Sequence, residues 1–126
     1  MFYTGYFCKI PEYLKANLLP IGIAKKLPSG IDIPHLPELG PNWSIYSNYR
    51  QNKNTAEYTR RYVDEILSGL LQFKIMNKML SFRLTTDQIP ILLCYEKPSD
   101  FCHRHIVAGW LNHGLQMKGC EFKLEP

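Results

Sequence analysis

The sequence predicts one α/β domain over residues 1–126, built as three layers around a mostly parallel, Rossmann-like sheet with helices on both faces. Two observations predict it. Short apolar or aromatic runs alternate with stretches of helical periodicity along the whole chain, the pattern of strands joined by crossover helices. The most apolar run, Ile89-Pro90-Ile91-Leu92-Leu93-Cys94, lacks the polar alternation of a half-exposed strand, so it reads as a strand covered on both sides.

Each element has its own justification. Phe2 to Phe7 is rich in aromatic and β-branched residues and predicts the first strand. Ile10 to Lys15 predicts a short helix, with Pro11 tolerated in its first turn. Ile21-Gly22-Ile23-Ala24, after Pro20, predicts a second buried strand. Pro28, Gly30, Pro34, Pro37, Gly40 and Pro41 then forbid regular structure. That stretch is either a functional loop or a stiff cover over a sheet edge, with Trp43 to Tyr49 docking it.

Asn54-Thr55-Ala56-Glu57 has the spacing of a capped helix start. The helix that follows places Tyr58, Tyr62, Val63, Ile66, Leu67 and Leu70 on one face. A further helix is expected from about Lys74 to Phe82, then the Ile89–Cys94 strand, with Pro90 near its beginning. Ser99 or Asp100 is expected to cap a helix reaching about His113 and stopped by Gly114. Glu121 to Leu124 is expected to form the last strand.

Composition narrows the class. Of 126 residues, 45% are hydrophobic, and fifteen Lys+Arg against eleven Asp+Glu leave a net charge of +4. That permits an anionic ligand without the dense basic stripe of a dedicated nucleic-acid binder. The N-terminus has no signal-peptide pattern and no apolar run reaches membrane-spanning length. The expectation is a cytoplasmic protein, not associated with a membrane, whose four cysteines are reduced thiols. Its oligomeric state is left open.

In a parallel sheet the carboxyl ends of the strands share one edge, where open α/β proteins bind ligands. At that edge the sequence places Cys8 and Lys9, Lys25 and Lys26, Glu96 and Lys97, and the run Cys102-His103-Arg104-His105. The catalytic candidates are Glu96, Cys102, His103 and Arg104. A thiol in the first turn of a helix, beside an Arg and a His, is stabilised as thiolate. Glu96 can act as a general base or orient a histidine, and Arg104 can clamp a phosphate or carboxylate. The ligand-binding candidates are Lys25, Lys26, Lys97 and His105. A structural reading stands beside these: Arg104 and Glu96 can simply brace the turn, and Cys94 can be core. No cofactor is predicted. The alternative is a zinc site drawn from Cys94, Glu96, Cys102 and His105. A cysteine-phosphatase loop, a P-loop and a Gly-rich dinucleotide loop are all absent.

Leu92-Leu93-Cys94-Tyr95-Glu96-Lys97 followed by Phe101-Cys102-His103-Arg104-His105 resembles the signature of the bacterial and phage family called domain of unknown function 488. The likeness extends to the opening strand, the Pro-rich segment through Leu39-Gly40-Pro41, and the Glu57-to-Tyr62 helix. It implies a compact α/β fold and no established reaction. Longer members carry a Gly-His-Ser-like turn and an Asp-x-Arg; here Gly5-Tyr6-Phe7 and Ile23-Ala24-Lys25 stand in those places. A mechanism that needs that Asp is therefore not expected.

Three functions are consistent with these residues. Ranked first is binding of, and action on, a phosphorylated or nucleotide-like small anion. A non-catalytic nucleotide or nucleic-acid binding module follows. The third is a metal-binding or thiol redox protein built on Cys94 and Cys102.

Overall fold

The computed structural model describes residues 1–85, 87–97, 100–115 and 117–124, apart from the side chains at 114 and 115. The chain runs β1 (Phe2–Tyr6), α1 (Ile10–Lys15), β2 (Leu18–Gly22), α2 (Trp43–Asn52), α3 (Thr55–Glu65), α4 (Gln72–Ser81), β3 (Ile89–Cys94), α5 (His103–Leu115) and β4 (Gly119–Glu121). The strands form one sheet in the order β2-β3-β1-β4. Every pairing is parallel, with Tyr3 opposite Ile91, Pro20 opposite Ile91 and Phe2 opposite Gly119.

Alternation along the strands divides the core in two. Leu92, Ile21, Ile23 and Phe2 face α2 to α5 and pack with Tyr58, Tyr62, Met79, Val107 and Leu111. Ile91, Leu93 and Leu18 face the other way, against Ile10 and Tyr13 of α1 and the start of the Pro-rich segment. Gly5 lies beneath the Tyr13 ring, where a Cβ would sit 2.7 Å from the ring carbon bearing the hydroxyl. Helices therefore cover both faces, as the sequence predicts. Among the described residues, no helix is long and apolar enough to cross a membrane.

Several boundaries differ from expectation. α3 ends at Glu65, so Ile66, Leu67 and Leu70 lie beyond it, with Leu67–Gly69 in a 3-10 turn, and Val63 is exposed. β2 begins at Leu18 and not Ile21; Pro20 is accommodated inside it because β2 is the outermost strand. α2 is a full helix where only a docking segment was expected. Its apolar periodicity is faint, since Ile45 is its one buried residue, but Asn42 caps it by accepting from Ile45 N at 2.8 Å. α5 runs through Gly114 to Leu115. β4 is Gly119–Glu121 and shares only Glu121 with the expected strand; at Gly119 the Phe2 ring occupies the space a Cβ would need. Of the two cap candidates for α5, Ser99 lies outside the described residues. Asp100 is exposed and three residues ahead of the helix start.

The Pro-rich segment covers the free edge of β2. Gly22 N donates to Pro34 O at 2.9 Å and Leu36 N donates to Gly22 O at 2.8 Å. An open strand edge is thereby closed by a short segment that cannot extend the sheet further. Gly40 then presses on the backbone of Ala24 and Lys25 so closely that no Cβ fits.

Candidate ligand cleft at the carboxyl ends of β2 and β3

The residues that leave β2 are held one by one. His103 Nε2 donates to Ile23 O at 2.7 Å, His35 Nε2 donates to Ala24 O at 2.7 Å, and the Tyr95 hydroxyl donates to Lys26 O at 2.9 Å. A carbonyl oxygen only accepts, so both ring nitrogens carry the hydrogen. Three side chains from three parts of the chain thus fix the backbone that presents Lys25 and Lys26. Both lysines are exposed.

Beside them opens a cleft of about 1130 Å³. One wall is α2 with the start of α3, contributing Trp43, Tyr46, Tyr49, Arg50, Lys53 and Tyr58; the other is the β3 exit and the approach to α5, contributing Cys94, Tyr95, Glu96 and Phe101. The aromatic rings interlock. Phe101 lies 5.0 Å from Tyr58 and 5.3 Å from Tyr49, centroid to centroid, in edge-on and tilted arrangements. Glu96 is half-buried here, and burial pushes its carboxyl above the usual range, with nearby Asp100 adding to the rise and Arg104 opposing it.

Behind the cleft, side-chain alternation turns Cys94 away from α1 and toward α5. Its sulfur meets that of Cys102 in bonding contact, with the Cα atoms 7.4 Å apart. The expectation of four separate thiols gives way at this pair, while Cys8 and Cys120 are free and exposed. His103 is fully enclosed. Burial holds its imidazole down to about 4, so it is neutral near pH 7. With Nε2 donating to Ile23, its Nδ1 carries a lone pair and stands 3.6 Å from Cys102 Sγ.

Arg104 is 0% exposed. Its Nε donates to Glu121 Oε1 at 3.0 Å, and its Nη1 donates to Cys94 Sγ and to Glu96 O, each at 2.7 Å. Glu121 Oε1 also accepts from the Thr4 hydroxyl at 2.8 Å. The guanidinium therefore ties α5 to β1, β3 and β4, and it does not line the cleft.

The sequence-derived candidates thus separate. Glu96, Cys102, His103, Lys25 and Lys26 line one cleft. Arg104 lies behind it. Lys97 and His105 are exposed and line no part of it. Burial lowers the His105 imidazole below its ordinary range, with Arg104 acting in the same direction. The donor atoms of Cys94, Cys102 and His103 lie within 4.8 Å of one another, the one such group among the described residues. Only with the Cys94–Cys102 contact broken would two thiolates and an imidazole here suit a borderline-soft ion such as zinc, and Glu96 and His105 do not belong to the group.

Sequence reasoning missed the whole contribution of α2. The signal that could have found it is the Asn42 cap, followed by Trp43, Tyr46, Arg50 and Lys53 at helical spacing.

The fold and the cleft define an open, parallel-sheet α/β protein with a ligand-sized crevice at its strand ends. Within that class, the chain belongs to the DUF488-N3a family, described as the active DUF488-N3 subclade, whose family model matches residues 10–115. No curated protein and no solved structure matches the chain.

Proposed function

We propose that the protein binds a phosphate-bearing, nucleotide-like ligand in this cleft and uses the Glu96 carboxyl for proton transfer to or from it. One observation carries the reading: cations, aromatic rings and two carboxyls, half-buried Glu96 and exposed Asp100, share one concave site. Lys25 and Lys26 make no ion pair among the described residues, so their charge is available to a phosphate. Half-buried Tyr49 and Phe101 offer ring surface to a planar base, with buried Tyr58 packed behind them. Glu96, with its raised pKa, keeps more of its proton near neutral pH than an exposed glutamate does. That shift suits the carboxyl to exchanging a proton with a ligand oxygen or nitrogen. The Arg104 and His103 hydrogen bonds support this site from behind.

Calorimetric titration with nucleoside monophosphates at low salt tests the binding. Measurable affinity that falls at least tenfold in Lys25→Ala/Lys26→Ala is expected, about the loss of a charge-assisted contact. No heat of binding from any of the four common bases would overturn the reading. Conversion of a bound nucleotide by the wild type, abolished in Glu96→Gln with binding retained, separates an enzyme from a binding module.

A second reading has its own observation, the contact between the Cys94 and Cys102 sulfurs. It makes the pair a thiol redox couple. Mass spectrometry of alkylated protein under reducing and oxidising conditions tests it: a pair that never changes state removes this reading.

A further inference from the structure

The cleft is roomy for a small ligand. Its volume of about 1130 Å³ exceeds the roughly 300–1,000 Å³ of ordinary small-ligand pockets. Much of its lining lies along α2. Trp43, Tyr46, Arg50 and Lys53 are spaced by three or four residues, which puts them on one helix face. All four line the cleft. From Trp43 to Lys53 the face runs about 15 Å along the helix axis.

Along that face two aromatic residues, Trp43 and Tyr46, are followed by two cations, Arg50 and Lys53. Trp43 is 72% exposed and Tyr46 is 37% exposed, with ring centroids 5.8 Å apart. The Arg50 guanidinium lies 5.8 Å from the Tyr46 ring centroid, and Lys53 Nζ lies 5.2 Å from that of Tyr49. Neither Arg50 nor Lys53 is ion-paired among the described residues. A largely exposed Trp adds little to the core; buried Ile45 and half-buried Tyr49 anchor this helix. The face therefore offers ring surface at one end and unpaired positive charge at the other, which suits a ligand with planar and anionic parts.

Resting on the proposed nucleotide-like ligand, we propose that this cleft is a track for single-stranded nucleic acid, with bases stacked on Trp43 and Tyr46 and phosphates passing Arg50, Lys53, Lys25 and Lys26. Rings stack on bases only where the base faces are free, which favours a single strand over a duplex. An acidic peptide would use the cations and leave the exposed rings without a role. Lys53 closes the track from the C-cap of α2, in a left-handed conformation with φ of 53°. That conformation turns the chain sharply toward α3 and sets Lys53 at the end of the aromatic row.

Fluorescence anisotropy with labelled oligothymidylates and oligouridylates of about two to eight nucleotides, a span within single-strand site sizes, tests the proposal beside the mononucleotide titration. Affinity is expected to rise at least tenfold from monomer to oligomer and to fall with added salt. Trp43→Ala is expected to weaken the oligomer about five- to hundredfold, more than it weakens the mononucleotide. Circular dichroism of that variant checks that the exposed position leaves the fold intact. The thymidylate and uridylate arms distinguish DNA from RNA. Mononucleotide binding with no gain from length overturns the track and leaves the nucleotide reading standing; absence of both removes both. Equal affinity for a duplex, or a length gain that Trp43→Ala does not reduce, also overturns it.

Discussion

Glu96 and His103 lie close in the chain and respond to burial in opposite directions. The carboxyl is pushed up and the imidazole is held down to about 4, because a poorly solvated site disfavours the charged form of each. For Glu96 the folded state binds its proton more tightly than the unfolded chain. Its contribution to stability is therefore fully present below the unfolded value of about 4.5 and is lost as pH rises through the folded value. Glu96→Gln removes that loss. Its melting temperature is expected to exceed that of the wild type at pH 7 and to match it near pH 4, as read by calorimetry across pH. An equal shift at both pH values would show that charge burial is not the cause. The imidazole has the reverse sign: its contribution is lost as pH falls from 6.5 toward about 4.

At the scale of elements, two asparagine caps organise the side of the cleft opposite β3. Asn54 accepts from Glu57 N at 3.0 Å at the start of α3, and Asn42 accepts from Ile45 N at 2.8 Å at the start of α2. Each satisfies a backbone donor that has no partner within its helix. Replacing either by Ala is expected to cost about 1 kcal/mol in urea unfolding. The two differ in consequence. Asn42→Ala loosens the helix that carries Trp43 and Tyr46, so oligonucleotide affinity is expected to fall with it. Asn54→Ala is expected to leave affinity nearly unchanged. The Asn54 cap was legible because a strongly periodic helix follows it. The Asn42 cap was not, because α2 fully buries only Ile45, and Trp43, Tyr46 and Arg50 face the cleft instead of the core. Periodicity reports what faces the core, and it is silent on a helix whose surface is its purpose.

At the scale of the whole molecule, Arg104 joins elements far apart in sequence. It reaches Glu121 on β4, which Thr4 on β1 also holds, and it bonds Cys94 and the Glu96 carbonyl at the end of β3. Removing one partner of a buried ion pair strands the other. Arg104→Leu is expected to destabilise the fold by about 3–5 kcal/mol, with part recovered in Arg104→Leu/Glu121→Leu. Urea unfolding of both variants measures it. A single variant within about 0.5 kcal/mol of wild type, the range of neutral surface changes, would show that the pair does not hold the sheet to α5.

The sequence by itself determined the α/β class, the β3 strand and the cluster at its end, because apolar runs, helical periodicity and turn residues are local signals. It also located Lys25, Lys26, Glu96, Cys102 and His103 at one sheet edge, since strand order brings the carboxyl ends together. Only the tertiary structure decided which of the clustered residues face the cleft. Arg104 and His103 are adjacent in the chain, yet Arg104 turns inward to Glu121 while His103 lines the cleft and clamps the β2 exit. That choice depends on partners 17 and 80 residues away, and no local pattern contains them. The same holds for the Cys94–Cys102 contact and for α2, whose aromatic and cationic face has meaning only opposite Glu96.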